Sequence, residues 1–353
     1  MQPPQPQPRG RTLIRLAAAV AGLCLFRRRP GPAVLAARSR LIVAVLFALV
    51  SMSAGLAAGP QAALATYPGE TNGRLAFGVQ QADGIVQIYS VLPNGKGFRR
   101  LTDAPAFNAC PAYSPDGKQI AFCSNRTGAF EIWTMHQNGT RQQQVTHVGG
   151  FMIFPDFSPD GRTIAFTGQR PGDVLDQIYT IRADGSGPIH ALTTASDGNN
   201  DYPAFSPDGR RIAFISDRHG PCDTSGTPQV WVMQADGSRP RQLTCDPSAK
   251  GQLPDWSPDG SRIAYESGSS PTGHIFIMNA DGSRQRQLTT GPGDDFGTAW
   301  SPDGRQIAFV RDLGNGNRLV YVMNADGHGQ HAIRPTSGSQ FVPAWQPRGE
   351  EDS

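Results

Sequence analysis

No Gly-x-Ser-x-Gly occurs in the 353 residues, so the strained turn that exposes the nucleophile of an α/β-hydrolase is missing. The seven histidines are scattered; only His328 and His331 are spaced to share a metal, and a solvated loop is the favoured account of them. Acidic residues are absent from residues 1–65, which hold eight arginines (Arg9, Arg11, Arg15, Arg27, Arg28, Arg29, Arg38 and Arg40). Removing those eight leaves 24 basic against 29 acidic residues in 66–353, a net of −5, although the whole chain carries +3. The body therefore lacks the basic footprint of a nucleic-acid binder.

The basic end reads as a leader. After Arg38-Ser39-Arg40 comes LIVAVLFALVSMSAGLAA (41–58), uncharged and about as long as a membrane helix needs. Ala63-Leu64-Ala65 then supplies small residues at the spacing a signal peptidase uses. Residues 1–65 are expected to be a signal peptide or a membrane anchor, with the arginines kept cytoplasmic and the rest exported. Residues 66–70 form a short linker, and no cysteine precedes a mature start as in a lipoprotein.

What is abundant is glycine (41) and proline (30), the composition of many turns and short strands. The turns repeat. Ser-Pro-Asp-Gly occurs at 114–117, 158–161, 206–209, 257–260 and 301–304, with a worn copy, Gln-Pro-Arg-Gly, at 346–349. The intervals are 44, 48, 51, 44 and 45 residues. An Asn-Gly or Asp-Gly recurs at 94–95, 138–139, 184–185, 236–237, 281–282 and 326–327. Leu-Thr or a near relative follows at 101–102, 145–146, 192–193, 243–244 and 288–289, and decays to Ile333-Arg334.

Each period holds four short strand candidates, as in YPAFS (202–206), RRIAFIS (210–216), QVWVMQA (229–235) and RPRQLT (239–244). Four antiparallel strands per period of roughly 40–50 residues predict an all-β, six-bladed β-propeller over 71–348, followed by a short tail, 349–353. The chain opens on a second strand, RLAF (74–77), and ends on a first strand, FVPAW (341–345). The last strand should complete the first blade and close the ring, leaving no large open edge. The worn Gln-Pro-Arg-Gly then need not form a tight hairpin.

SPDG followed by IAF, then NADG or QADG, then RQLT, resembles the repeat of the TolB-like six-bladed propellers across about 71–348. The resemblance implies a propeller without the α/β domain that precedes it in TolB, since only the leader lies upstream. Contacts made through that domain do not carry over.

Strand order places the SPDG and Asp-Gly turns on one face and the second-to-third-strand and blade-to-blade loops on the other. From each SPDG aspartate to the next Asp-Gly marker takes 22, 24, 28, 22 and 23 residues; the return takes 22, 22, 24, 23, 22 and 22. The variation lies in loops of the second face, the longest being DRHGPCDTSGTP (217–228), and a partner site is expected there. The aspartates of the repeats (Asp116, Asp160, Asp208, Asp259 and Asp303) are read as turn residues.

On the variable face, Asn108, Asp201, Asp294 and Asp295 are candidates for the channel mouth. Asp197, Asn199 and Asp201 alternate like the start of a calcium loop, though the following Gly and distant Glu are missing. Calcium is thus the one cofactor to test against a reading with none. Cys110 and Cys123 fall opposite each other across a hairpin, and Cys222 and Cys245 share one end of a blade, so two disulfides, Cys110–Cys123 and Cys222–Cys245, are candidates. Free buried thiols are the alternative. The expected function is a non-catalytic, monomeric scaffold outside the cytoplasmic membrane, binding an envelope or extracellular protein or glycan but no nucleic acid. A propeller enzyme acting on a sugar or lactone through a channel metal is the alternative.

Overall fold

The computed structural model describes residues 71–222, 226–246, 253–268, 272–314, 317–333 and 338–348. The leader 1–65 with its apolar segment 41–58, the linker 66–70, the tail 349–353 and positions 223–225 of the longest loop lie outside the described residues. Among the described residues no helix is long and apolar enough to cross a membrane.

Each SPDG stretch folds locally. In the copy at 114–117 the Gly117 amide donates to the Ser114 carbonyl at 2.8 Å, and Ser114 Oγ donates to Asp116 Oδ1 at 2.6 Å. The same carboxylate accepts the Lys118 amide at 3.0 Å, so one side chain satisfies two donors of the turn. Gly117 takes φ 66°, the left-handed region that side-chain-bearing residues resist. The Ser–Asp bond recurs at 158/160, 206/208, 257/259 and 301/303. At Asp160 the Ser158 hydroxyl and the Arg162 amide hold the carboxyl below its ordinary range. These aspartates build turns, five times over.

The hairpins assemble into six four-stranded antiparallel sheets. Their innermost strands are Gln340–Arg348 (blade 1), Asn108–Tyr113 (blade 2), Phe151–Phe157 (blade 3), Asn200–Phe205 (blade 4), Asp255–Trp256 (blade 5) and Asp294–Trp300 (blade 6). Consecutive innermost strands touch all the way round, 340–348 meeting 108–113 on one side and 294–300 on the other. Blade 1 is closed by pairing of Gln340–Arg348 with Thr71–Gln80. That pairing runs further than expected: Pro347 and Arg348 of the worn repeat continue the strand opposite Asn72 and Thr71. Gln346 then reaches blade 2, its Nε2 donating to the Gly117 carbonyl at 3.0 Å.

The second strands are buried on both faces, as at Ile120–Ser124, where every residue is inaccessible. The outer strands are shorter than expected: RPRQLT contributes only Arg241–Gln242 to a ladder, and the others are similar. Edges of two or three residues leave little for another chain to pair with. Their arginines instead clasp the next blade: Arg99 donates to the Gln137 carbonyl (3.1 Å), Arg241 to that of Asp281 (3.0 Å) and Arg286 to that of Asp326 (3.2 Å). The threonine of each Leu-Thr marker turns inward. Thr102, Thr146, Thr193, Thr244 and Thr289 each accept a third-strand amide through Oγ1 at 2.9 to 3.0 Å.

Two devices hold neighbouring blades at the centre. The buried Asp156 of blade 3 accepts the Phe205 amide of blade 4 at 2.7 Å, and Asp255 of blade 5 accepts the Trp300 amide of blade 6 at 2.6 Å. Where alanine stands instead, the neighbour's indole reaches its carbonyl: Trp256 to Ala204 at 3.2 Å and Trp345 to Ala299 at 3.1 Å.

A bulge interrupts most innermost strands. Register slips between Ala109 and Ala112, Ile153 and Asp156, Asp201 and Ala204, and Phe296 and Ala299. Pro111, Pro155 and Pro203 sit inside the first three slips and have no amide to give the ladder. The preceding residue flips to positive φ: Cys110 (55°), Phe154 (53°) and Tyr202 (56°), with Val342 (36°) before Pro343 and Gly297 (67°) at the matching place in blade 6. Cys110, Phe154 and Val342 enter one buried cluster and Tyr202 packs against it. Burial and the Asp201 charge push the Tyr202 phenol well up, and Cys110 of blade 2 and Glu266 of blade 5 add to this. Apolar side chains from several blades share one cluster at this level.

Candidate functional site

The variable face opens where the innermost strands begin. Asn108 and Asn200 hold the matching first position in blades 2 and 4. Each amide nitrogen donates to a glutamine of the preceding blade, Gln87 or Gln177, at 3.1 Å. Each amide oxygen accepts an arginine two residues beyond its second strand: Arg126 Nη2 at 2.5 Å, Arg218 Nη2 at 2.7 Å. Those guanidinium groups lie over Trp133 (4.5 Å) and Trp231 (5.2 Å). Arg218, the arginine of DRHG, is therefore a brace for the loop base. In blade 6, Asp295 fills the equivalent place, and Arg311 binds it with Nε to Oδ1 at 2.5 Å and Nη2 to Oδ2 at 2.7 Å.

The four predicted mouth residues come from alternate blades and stand at different depths. Asn108 is inaccessible, Asp294 and Asp295 are buried and Asp201 is half-buried. Asp294 and Asp295 lie within the innermost strand itself rather than before it. Asp294 accepts the Gly273 amide of blade 5 at 2.8 Å, which couples the two blades.

The three predicted calcium ligands are turned to separate partners. Asp197 closes a 3-10 turn, Ala195–Asp197, by accepting the Thr194 amide and hydroxyl, each at 3.0 Å. Asn199 is clamped by Asp217, whose carboxylate accepts its backbone and side-chain N–H at 2.6 Å each. Asp201 accepts the Thr167 hydroxyl at 2.6 Å. Among the described residues no group of three or more His, Cys, Asp or Glu side chains is placed to hold a metal ion.

Two acidic residues missed from the sequence, Asp176 and Glu266, sharpen the site together with the predicted Asp201. Asp176, just before the third strand of blade 3, is pushed up to about 6 by burial and by the charge of Asp217, and its Oδ1 has no hydrogen-bond partner. Asp201 is raised by burial and then by Asp176. Glu266, inside the second strand of blade 5, is raised well above the carboxylate range by burial and then by Asp294 and Asp295. Its Oε2 is also unpartnered, as is His274 Nδ1, 4.0 Å from Asp295 Oδ2. A signal for Glu266 was present: IAYES places a charge where IAFCS, IAFTG and IAFIS have none. The mouth thus gathers carboxylates with buried, unsatisfied polar atoms behind it.

Two further features mark this face. Val174 (50% exposed) and Leu313 (45%) are the large apolar side chains left exposed among the described residues, and both sit in its loops. Cys222 and Cys245 form a disulfide with Cα atoms 5.8 Å apart, tying the longest loop to the end of blade 4's outer strand. The other candidate pair departs from a regular hairpin: Cys123 stands opposite Ala109, because the bulge carries Cys110 out of register, and the Cys110 and Cys123 sulfurs lie 2.7 Å apart. A cleft of about 750 Å³ runs between blades 2 and 3 on the turn side, lined by Gln119, Asp160, Arg162 and Asp184.

Comparison with known proteins agrees with this geometry. The sequence model of the TolB beta propeller domain matches residues 139–348, which is more than half of the chain. Among solved structures, TolB from Acinetobacter baumannii superposes with a TM-score of 0.65 at 22% identity, covering 80% of this chain and 68% of that one. A TolB candidate from Agrobacterium tumefaciens gives 0.60 at 19% identity, covering 78% and 99%. A chain of a nidogen/laminin complex gives 0.60 at 15% identity, covering 77% and 98%. At these identities the structural likenesses speak for the fold alone, whereas the family match extends over more than half the sequence. The chain belongs to the TolB beta-propeller family.

Proposed function

We propose that the chain is an exported, non-catalytic scaffold that holds a protein partner outside the cytoplasmic membrane. The partner sits on the variable face, across the channel mouth. Membership of the TolB beta-propeller family supports a binding role. The observation that carries the choice of face is a coincidence of three kinds of feature there. Loop-length variation, the exposed Val174 and Leu313, and the unsatisfied Asp176 and Glu266 all fall on one side of the ring. Apolar contacts and a basic group on the partner would satisfy them together.

The mechanism is rigid display. Arg126, Arg218 and Arg311 brace the loop bases, and the Cys222–Cys245 bond tethers the longest loop. Binding then loses less conformational entropy than it would from free loops. Segment 41–58 would direct export, either cleaved or kept as an anchor. The test is affinity capture from an envelope fraction, comparing wild type with a variant lacking 217–228. A protein captured by wild type and lost from the variant supports the reading; undiminished capture contradicts it.

A further inference from the structure

We infer that Cys110 and Cys123 form a second disulfide, buried in the channel wall, which the folded protein shields from reductants that open Cys222–Cys245. Three observations carry this. Their sulfurs are 2.7 Å apart, well inside the roughly 3.5–4 Å at which non-bonded heavy atoms rest and close to the ~2.05 Å of a bond. Two thiols left unbonded at this place would repel.

The second observation is the backbone. Cys110 occupies the bulge of blade 2 at φ 55°, which swings its side chain back toward the second strand despite the slipped register. The bulge slips the register so that Cys123 faces Ala109, yet this turn of the backbone keeps the two sulfurs in contact.

The third is accessibility. Cys110 is 1% and Cys123 0% exposed, whereas Cys222 and Cys245 are both exposed. Exchange needs a thiolate to reach a sulfur. Burial and the Cys123 neighbour also push the Cys110 thiol up, so in the folded chain it would stay protonated and inert. The bond therefore forms before the blade closes, by two exchange steps with a disulfide oxidant such as oxidised glutathione. In the first, a Cys thiolate attacks the oxidant, giving a mixed disulfide and releasing one glutathione thiolate. In the second, the other Cys thiolate displaces the remaining glutathione. Both released thiolates take up the two protons, and the oxidant is reduced by two electrons.

Tryptic mapping of the full chain tests this. The denatured, reduced protein is refolded in oxidised and reduced glutathione, then unfolded in iodoacetamide without reductant. Trypsin cuts after Lys118, separating Leu101–Lys118 from Gln119–Arg126. The expected species is those two peptides joined, two hydrogens lighter than their sum. Dithiothreitol applied to the folded protein before alkylation should separate His219–Arg241 from Gln242–Lys250 and leave 101–118 joined to 119–126. Alkylation of both Cys110 and Cys123 while Cys222 and Cys245 remain linked would overturn the inference. So would release of both pairs at equal rates.

Discussion

Replacing Asp255 by alanine tests the claim that single carboxylates fasten blade to blade. Asp255 is inaccessible, and its Oδ2 accepts the equally buried Trp300 amide at 2.6 Å. Alanine leaves that N–H buried with no acceptor from this side chain. Stranding a donor bonded to a charged group costs about 3 kcal/mol. For a propeller of this size, that is a fall in melting temperature of about 5 °C. Asp255→Asn keeps a carbonyl oxygen in place and should cost about 1 kcal/mol. Asp156→Ala, which strands the Phe205 amide, should resemble Asp255→Ala, while Asp236→Ala at an exposed turn serves as control. Guanidinium unfolding followed by tryptophan fluorescence reads all four. A change at Asp255→Ala no greater than at Asp236→Ala would refute the reasoning. Equal losses for alanine and asparagine would show that charge, rather than the acceptor, matters.

Asp176→Asn should stabilise the protein at pH 7 by about 2 kcal/mol, allowing for partial exposure of a carboxyl raised to about 6. The folded state binds that proton more tightly than the unfolded chain. Wild-type stability is therefore lost as pH rises from about 4 through about 6, and the gap between the two proteins should close near pH 4 in parallel urea titrations. Ending the chain at Ile333 removes the innermost strand of blade 1, the Trp345–Ala299 bond and the Gln346 bridge. The truncated protein should show no cooperative melt and should elute as aggregate; a melt within a few degrees of wild type would contradict closure by that strand.

The ring was legible because turn chemistry is local. Ser-Pro-Asp-Gly needs only its own atoms to fold, so five copies announce five hairpins whatever surrounds them. Closure followed from an unpaired second strand at one end and an unpaired first strand at the other. The bulges went unread, though Pro111, Pro155, Pro203 and Pro343 stood in plain view as prolines inside central strands. Read as a regular hairpin, 108–124 places Cys110 against Cys123; the missing Pro111 amide is what breaks that register. Site residues were harder because their meaning is relational. Asp197, Asn199 and Asp201 have ligand spacing along the chain, but that spacing does not reveal their bonds to Thr194, Asp217 and Thr167. Asp176 and Glu266 belong to different blades, and their shared electrostatic effect on Tyr202 exists only once the ring is built.

The central claim is that the partner binds the variable face. Hydrogen–deuterium exchange on the propeller, alone and with its captured protein, tests it most directly. Binding should slow exchange in the loops at 125–130, 170–176, 217–222 and 312–314 and leave the Ser-Pro-Asp-Gly turns unchanged. Slowing confined to those turns, with the loops exchanging as in the free protein, would contradict it.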